Sequence, residues 1–151
     1  MVSLGARSCS NSERETYRLD GGCVSGPIEE YEFMNNTMTT FAFVFPGQGS
    51  QSVGMLDAWG DHPAVTATLK EASDALNEDI GALIHLGPKE ALALTTNTQP
   101  VMLVAAVAAY RAWLAEGGQQ PAVVAGHSLG EYSALVAAGV LTLAQAAPLV
   151  R

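Results

Sequence analysis

The 151-residue sequence is poor in cysteine, in basic residues and in histidine, with two, seven and three of them respectively. Cys9 and Cys23 lie near the N-terminus without a metal-ligand pattern, so we expect no bound metal and a reducing, cytoplasmic setting. Fifteen acidic residues give a net charge of −8, which argues against a nucleic-acid partner. No apolar run reaches the roughly 18 residues that span a bilayer, so we expect no membrane partner.

Residues 1–37 differ in composition from the rest of the chain. They combine acidic residues and serines with the turn pairs Gly21-Gly22 and Gly26-Pro27, and they show no sustained hydrophobic period. We therefore predict a disordered extension over 1–37 and a folded region over 38–151, with Met38 as a candidate natural start.

From position 40 onward, short apolar runs alternate with helical patterns. The runs 41–45 and 121–125 are typical of buried strands in a parallel sheet. Asp61 is a candidate cap for the first helix, and Thr142 with Gln145 forms a candidate capping box for the last. The helical patterns cover 63–76, 89–94, 101–115, 131–140 and 143 onward. This order predicts an α/β fold with a parallel sheet, and two strands alone would indicate part of a larger domain.

The sequence Gly126-His127-Ser128-Leu129-Gly130 stands between a predicted strand and a predicted helix. A serine flanked by glycines in this position is typical of a nucleophile held on a strained turn, because glycine permits the tight backbone and the close substrate. The pattern favours acyl transfer by Ser128. The alternative is a glycine-rich turn whose serine has no chemical role.

A serine nucleophile needs a base that accepts its proton, and the sequence offers no clear one. His127 is adjacent to Ser128, so its ring should point away from the serine oxygen. His62 and His85 are typical of surface histidines.

The reaction also needs N–H donors for the negative charge that develops on the substrate oxygen. Leu129 follows the nucleophile and supplies one backbone N–H by position. The loop 47–49 follows the strand at 41–45 and is the natural source of the second, although a plain strand-to-helix turn is the alternative. A phosphate site is disfavoured because no Gly-Lys-Ser/Thr follows the loop.

Three motifs occur in order along the chain: Phe45-Pro46-Gly47-Gln48-Gly49-Ser50-Gln51, Thr98-Gln99-Pro100, and Gly126 to Ala134. Together they resemble the N-terminal half of malonyl-CoA:acyl carrier protein transacylases, over about Met38 to Arg151. The resemblance implies an α/β-hydrolase-like acyltransferase core, truncated here before a ferredoxin-like small subdomain. It also implies, with no bound cofactor, transfer of malonyl from malonyl-CoA to a serine and then to the phosphopantetheine thiol of acyl carrier protein, in fatty acid synthesis.

Carried over by motif, the resemblance makes Ser128 the nucleophile and the backbone amides of Gln48 and Leu129 the oxyanion hole. Gln99 would lie near the pocket. The family's catalytic histidine and its carboxylate-binding arginine would fall beyond Arg151, which is itself out of register for the arginine's role. We therefore expect the chain as given to be nearly inactive.

Three other interpretations remain open at this point. The acyltransferase domain of a polyketide or fatty acid synthase shares the serine motif. A serine esterase or lipase would explain the pentapeptide but not the other two motifs. An inactive remnant that only binds a carrier protein or another partner would fit the missing base.

Overall fold

The computed structural model describes residues 40–151 and two strands nearer the N-terminus, β1 (Thr16–Leu19) and β2 (Gly22–Ser25). These strands are antiparallel and belong to a unit that is separate from residues 40–151. They fall within the predicted disordered extension. The remainder of that prediction concerns residues outside the described ones.

The unit formed by residues 40–151 alternates strands and helices. Its elements are β3 (Ala42–Phe45), a 3-10 helix (Asp57–Trp59), α1 (Pro63–Leu76), α2 (Ile80–Leu86), α3 (Lys89–Leu92), α4 (Thr95–Ala115), β4 (Val123–Gly126), α5 (Leu129–Ala137) and α6 (Leu143–Leu149). The predicted α/β class is therefore confirmed.

Strands β3 and β4 pair in parallel, as predicted, with Ala42 opposite Val123 and Phe45 opposite Gly126. The ladder of β4 begins two residues after Pro121, which has no N–H to donate to it. Because the two strands end in step, the loops that follow them leave the same edge of the sheet. This register positions the candidate site.

The two faces of this sheet differ in burial because side chains alternate along a strand. Phe43 and Phe45 point to one face, where their rings contact Tyr110 of α4 edge-on at centroid distances of 5.3 and 6.0 Å. On the other face Val44 is 72% exposed and Val123 is 59% exposed. Helices α4 and α5 therefore cover only the aromatic face.

Helix α4 is largely apolar and forms the centre of the core. Val101, Leu103 and Val104 are completely buried where it packs against α1, α5 and α6. The helix begins at Thr95, earlier than predicted. Its first turns are held by the Thr98 hydroxyl, which donates to the Leu92 carbonyl at the end of α3.

Several helix ends differ from the predictions. The cap of α1 is His62 rather than Asp61, because the His62 Nδ1 accepts the Ala64 N–H at 3.2 Å. Helix α3 ends at Leu92 instead of 94, and α5 covers 129–137 instead of 131–140. Helix α2 was not predicted, since its seven residues are too few for a clear period. The capping box of α6, between Thr142 and Gln145, is confirmed.

The start of α5 touches the ends of both strands through two glycines. A Cβ on Gly130 would lie 2.2 Å from the Phe45 carbonyl oxygen, and one on Gly126 would lie 2.0 Å from the Gly130 carbonyl group. Both neighbours are backbone atoms that cannot move aside like a flexible side chain. Only glycine at these positions allows the helix to approach the sheet this closely.

We expect Gly130→Ala to lower the free energy of unfolding by about 3 kcal/mol or more, at the upper end of overpacking costs, because its methyl group would overlap the backbone of β3. Gly81→Ala in α2 is the matched control, since the atom nearest to its Cβ is a side-chain oxygen at 3.3 Å. Urea unfolding followed by circular dichroism measures both. Equal effects of the two substitutions would contradict the close-approach argument.

Candidate active site

Ser128 lies on the turn between β4 and α5 in a conformation that non-glycine residues rarely adopt. Its φ is 55° and its ψ is −117°, and it occupies the cap position of α5. Such a backbone costs about 1–3 kcal/mol and persists only where the surrounding structure enforces it. The side chain is exposed. This is the strained, accessible geometry that the serine pentapeptide predicts.

The loop after β3 lies directly beside the serine turn. A Cβ on Gly47 would be 3.3 Å from the carbonyl oxygen of His127, so the two backbones are nearly in contact. The carbonyl of His127 also accepts the Gly130 N–H at 3.0 Å, which closes the first turn of α5. The fold thereby brings the loop that contains Gln48 next to Ser128.

Two backbone N–H groups at this junction have no hydrogen-bond acceptor among residues 40–151. Leu129 is the first residue of α5, where the N–H has no partner inside the helix. In the stretch from 40 to 151, no hydrogen bond engages the Gln48 N–H. Both N–H groups are therefore unpaired within residues 40–151, and their role as oxyanion donors stays a prediction.

Gln99 lies half-buried near the start of α4. Its neighbours Val101 and Met102 belong to the same core cluster as Leu129 of α5. The proximity of Gln99 to a substrate pocket stays a prediction.

None of the three histidines makes a hydrogen bond to Ser128 within the described part of the chain. The His62 Nε2 lies 3.0 Å from a Glu116 oxygen, and His85 pairs with Asp57. His127 is exposed beside the serine, and its described hydrogen bond uses its carbonyl group. The protein contacts thus give no histidine the position of a base.

Arg151, the arginine considered above for carboxylate binding, is already paired with Glu78. Its Nη1 and Nη2 contact the two carboxylate oxygens of Glu78 at 2.5 and 2.6 Å. Two parallel contacts of this kind form a strong, oriented ion pair. Arg151 therefore joins the end of α6 to the segment between α1 and α2.

The role of Gln51 in the loop after β3 was not predicted from the sequence. The Gln51 side chain turns back, and its Oε1 accepts the Gly49 N–H at 2.9 Å. The sequence gives no clear signal for such a bond, since local bonds from side chain to backbone are commonest for the shorter Ser, Thr, Asn and Asp.

Within the described ranges, no three His, Cys, Asp or Glu side chains are grouped so that they could hold a metal ion. The helices described there are also too short or too polar to cross a bilayer.

A strained serine between a parallel strand and a helix, beside free backbone donors, defines the nucleophile-turn class of α/β acyl-group enzymes. Comparison with known proteins agrees: the acyl transferase domain model matches residues 42–151, and the chain belongs to this family. This family assignment confirms the acyltransferase fold that the three motifs indicated.

Two curated relatives are malonyl CoA-acyl carrier protein transacylases. That of Escherichia coli K12 is 59% identical over 114 residues, which are 75% of this chain and 37% of the relative. That of Bacillus subtilis 168 is 44% identical over 115 residues, which are 76% of this chain and 36% of the relative. The chain thus spans little more than a third of the length of these relatives.

Solved structures with similar names also match this chain over about three quarters of its length. The acyl-carrier-protein S-malonyltransferase of Burkholderia pseudomallei 1710b matches with a TM-score of 0.73 and 67% identity, over 74% of this chain and 36% of that one. A malonyl-transacylase in complex with its type II polyketide acyl-carrier protein matches with a TM-score of 0.70 and 54% identity, over 74% and 37% of the two chains.

The backbone strain at Ser128 predicts an unusual order of stability for two substitutions. Ser128→Gly should be more stable than Ser128→Ala by about 1 kcal/mol or more, because glycine tolerates the positive φ. Ser73, inside α1 near its C-terminal end, is the control, where glycine should be less stable than alanine by about 1 kcal/mol. Thermal unfolding of the four variants measures both differences, and the same sign at the two positions would contradict the strain.

Proposed function

We propose that this chain carries the acyl-serine half of a malonyl-CoA:acyl carrier protein transacylase. The observation that supports this most is the junction of Ser128 with the free N–H groups of Gln48 and Leu129. The names of the similar proteins support malonyl as the acyl group. The reaction would use malonyl-CoA and a phosphopantetheine carrier as substrates, with no bound cofactor, in the cytoplasm and in fatty acid synthesis.

In the first half-reaction the Ser128 Oγ attacks the thioester carbonyl carbon of malonyl-CoA. The carbonyl oxygen becomes negatively charged in the tetrahedral intermediate and accepts hydrogen bonds from the Gln48 and Leu129 N–H groups. The C–S bond then breaks, the ester on Ser128 forms, and the leaving coenzyme A sulfur takes up a proton. The proton lost by the hydroxyl group passes to a base, which in this proposal lies outside residues 40–151.

In the second half-reaction the phosphopantetheine thiol of the carrier protein attacks the malonyl ester through the same two donors. The C–O bond breaks, the serine regains its proton, and malonyl leaves as a new thioester, so the mechanism is ping-pong. Gln99 would line the pocket beside the acyl group.

The partner in this proposal is an acyl carrier protein, as in the similar structure of a transacylase with its carrier. Because that carrier belongs to a type II polyketide system, the same match supports a second candidate function, the supply of malonyl groups to polyketide synthesis.

Incubation with malonyl-CoA followed by peptide mass spectrometry tests the proposal. We expect a malonyl adduct on the peptide that contains Ser128, formed about 10⁴-fold more slowly than in an enzyme with its base. Ser128→Ala should show no adduct. A folded sample that gains none, or that is labelled equally in both forms, would contradict the proposal and favour a binding role.

Substitutions of Gln48 test whether its backbone, rather than its side chain, is used. Gln48→Pro removes the N–H and should lower the rate of Ser128 acylation by about 10²–10³-fold. Gln48→Ala keeps the N–H and is the matched control, with a rate close to that of the unaltered chain. Equal losses in the two variants would exclude a backbone oxyanion donor at this position.

A further inference from the structure

The geometry points to Gln51 as a positioning residue that holds the Gln48 N–H toward Ser128. This inference rests on the proposed acylation of Ser128. It concerns a side chain whose described hydrogen bond goes to the loop backbone and not to Ser128.

The first observation is the hydrogen bond that Gln51 makes across the turn. Its Oε1 accepts the Gly49 N–H at 2.9 Å, and Gly49 immediately follows Gln48. The peptide unit on one side of Gln48 is thereby fixed by the Gln51 side chain. On the other side, Gly47 lies against the carbonyl of His127.

The second observation is that the turn has a conformation that needs support. Gly49 has a φ of 127°, in the region that L-residues avoid, although a Cβ there would meet no atom within 4 Å. The backbone angle, and not lack of space, therefore requires glycine. A flexible glycine turn samples many conformations unless something restricts it.

The third observation is burial. From Gln48 to Val53, only the side chain of Gln51 is shielded from solvent to an intermediate degree, and the other five residues are exposed. The next anchor along the loop is weak, since the Ser50 Oγ lies 3.9 Å from the sulfur of Met102. Gln51 is thus the main side chain that restricts the turn.

The bond also determines which donor remains free. The loop offers two consecutive N–H groups, of Gln48 and Gly49, and Gln51 occupies the second. Without Gln51 both N–H groups would be open to water, and the turn could rotate the Gln48 N–H away from the oxyanion. An oxyanion donor stabilises the transition state only when it is held in place beforehand.

A double-substitution cycle in the full chain tests this role. Gln51→Met keeps the length of the side chain and removes the acceptor, and we expect it to slow malonyl labelling of Ser128 about tenfold, the effect of one modest hydrogen bond on a rate. In the Gln48→Pro background, where the donor is already absent, Gln51→Met should cause no further loss. A purely structural role would give the same loss in both backgrounds and would overturn the inference.

Gln145→Met is the matched control. The Gln145 Oε1 also accepts a backbone N–H, that of Thr142 at 3.0 Å, but this bond caps α6. We expect Gln145→Met to lower stability without changing the labelling rate. A loss of labelling as large as that of Gln51→Met would overturn the inference.

Amide hydrogen exchange gives a readout that does not depend on malonyl chemistry. The Gly49 amide should exchange faster in Gln51→Met and at the original rate in Gln51→Glu, which keeps an acceptor oxygen. Unchanged exchange in Gln51→Met would overturn the inference.

If malonyl-CoA labels no variant, the proposed function fails, and the cycle is repeated with p-nitrophenyl acetate. A Gln51→Met loss that disappears in the Gln48→Pro background would then still support the positioning role. A rate that is independent of Gln51 would overturn it.

Discussion

The direct contact between the backbone of α5 and the ends of β3 and β4 is the constraint on which the candidate site depends. Gly126 and Gly130 remove the two side chains that would hold these elements apart. Leu129, between Ser128 and Gly130, is buried in the core and fixes the first turn of the helix. With both sides of the turn held, Ser128 has no relaxed conformation available, and packing elsewhere offsets the cost of its positive φ.

The candidate site consists mostly of backbone atoms. The donors proposed for the oxyanion are N–H groups, and the side chains of Gln48 and Leu129 play no direct part in them. What matters in this arrangement is the path of two loops, which follows from the parallel pairing of β3 and β4 and from the bond between Gln51 and Gly49. The aromatic contacts of Phe43 and Phe45 with Tyr110 support β3 on its covered face.

Much of this arrangement could be predicted from the sequence, because the patterns involved are local. The two strands and the buried helix α4 have apolar compositions that favour one structure, and Ser128 stands in a turn with a known geometric role. The start of α4 could not be predicted, since Thr98 reaches back to a carbonyl of α3 and the helix continues through Pro100. The His62 cap and the Gln51 bond also depend on single side-chain conformations, which leave no periodic trace in a sequence.

Strands β3 and β4 end at paired residues, Phe45 and Gly126. The geometry of the site therefore depends more on the number of residues in each strand than on which side chains they carry. Deleting Ala42 at the start of β3, with the register of the preceding residues kept, would withdraw the following loop by about 3.3 Å and would move Phe43 and Phe45 to the opposite face of the sheet. The loop would then no longer lie against the His127 carbonyl. Between Ala42 and Gln48, we therefore expect the protein to accept many replacements but almost no insertions or deletions if the loop is to stay beside the serine turn.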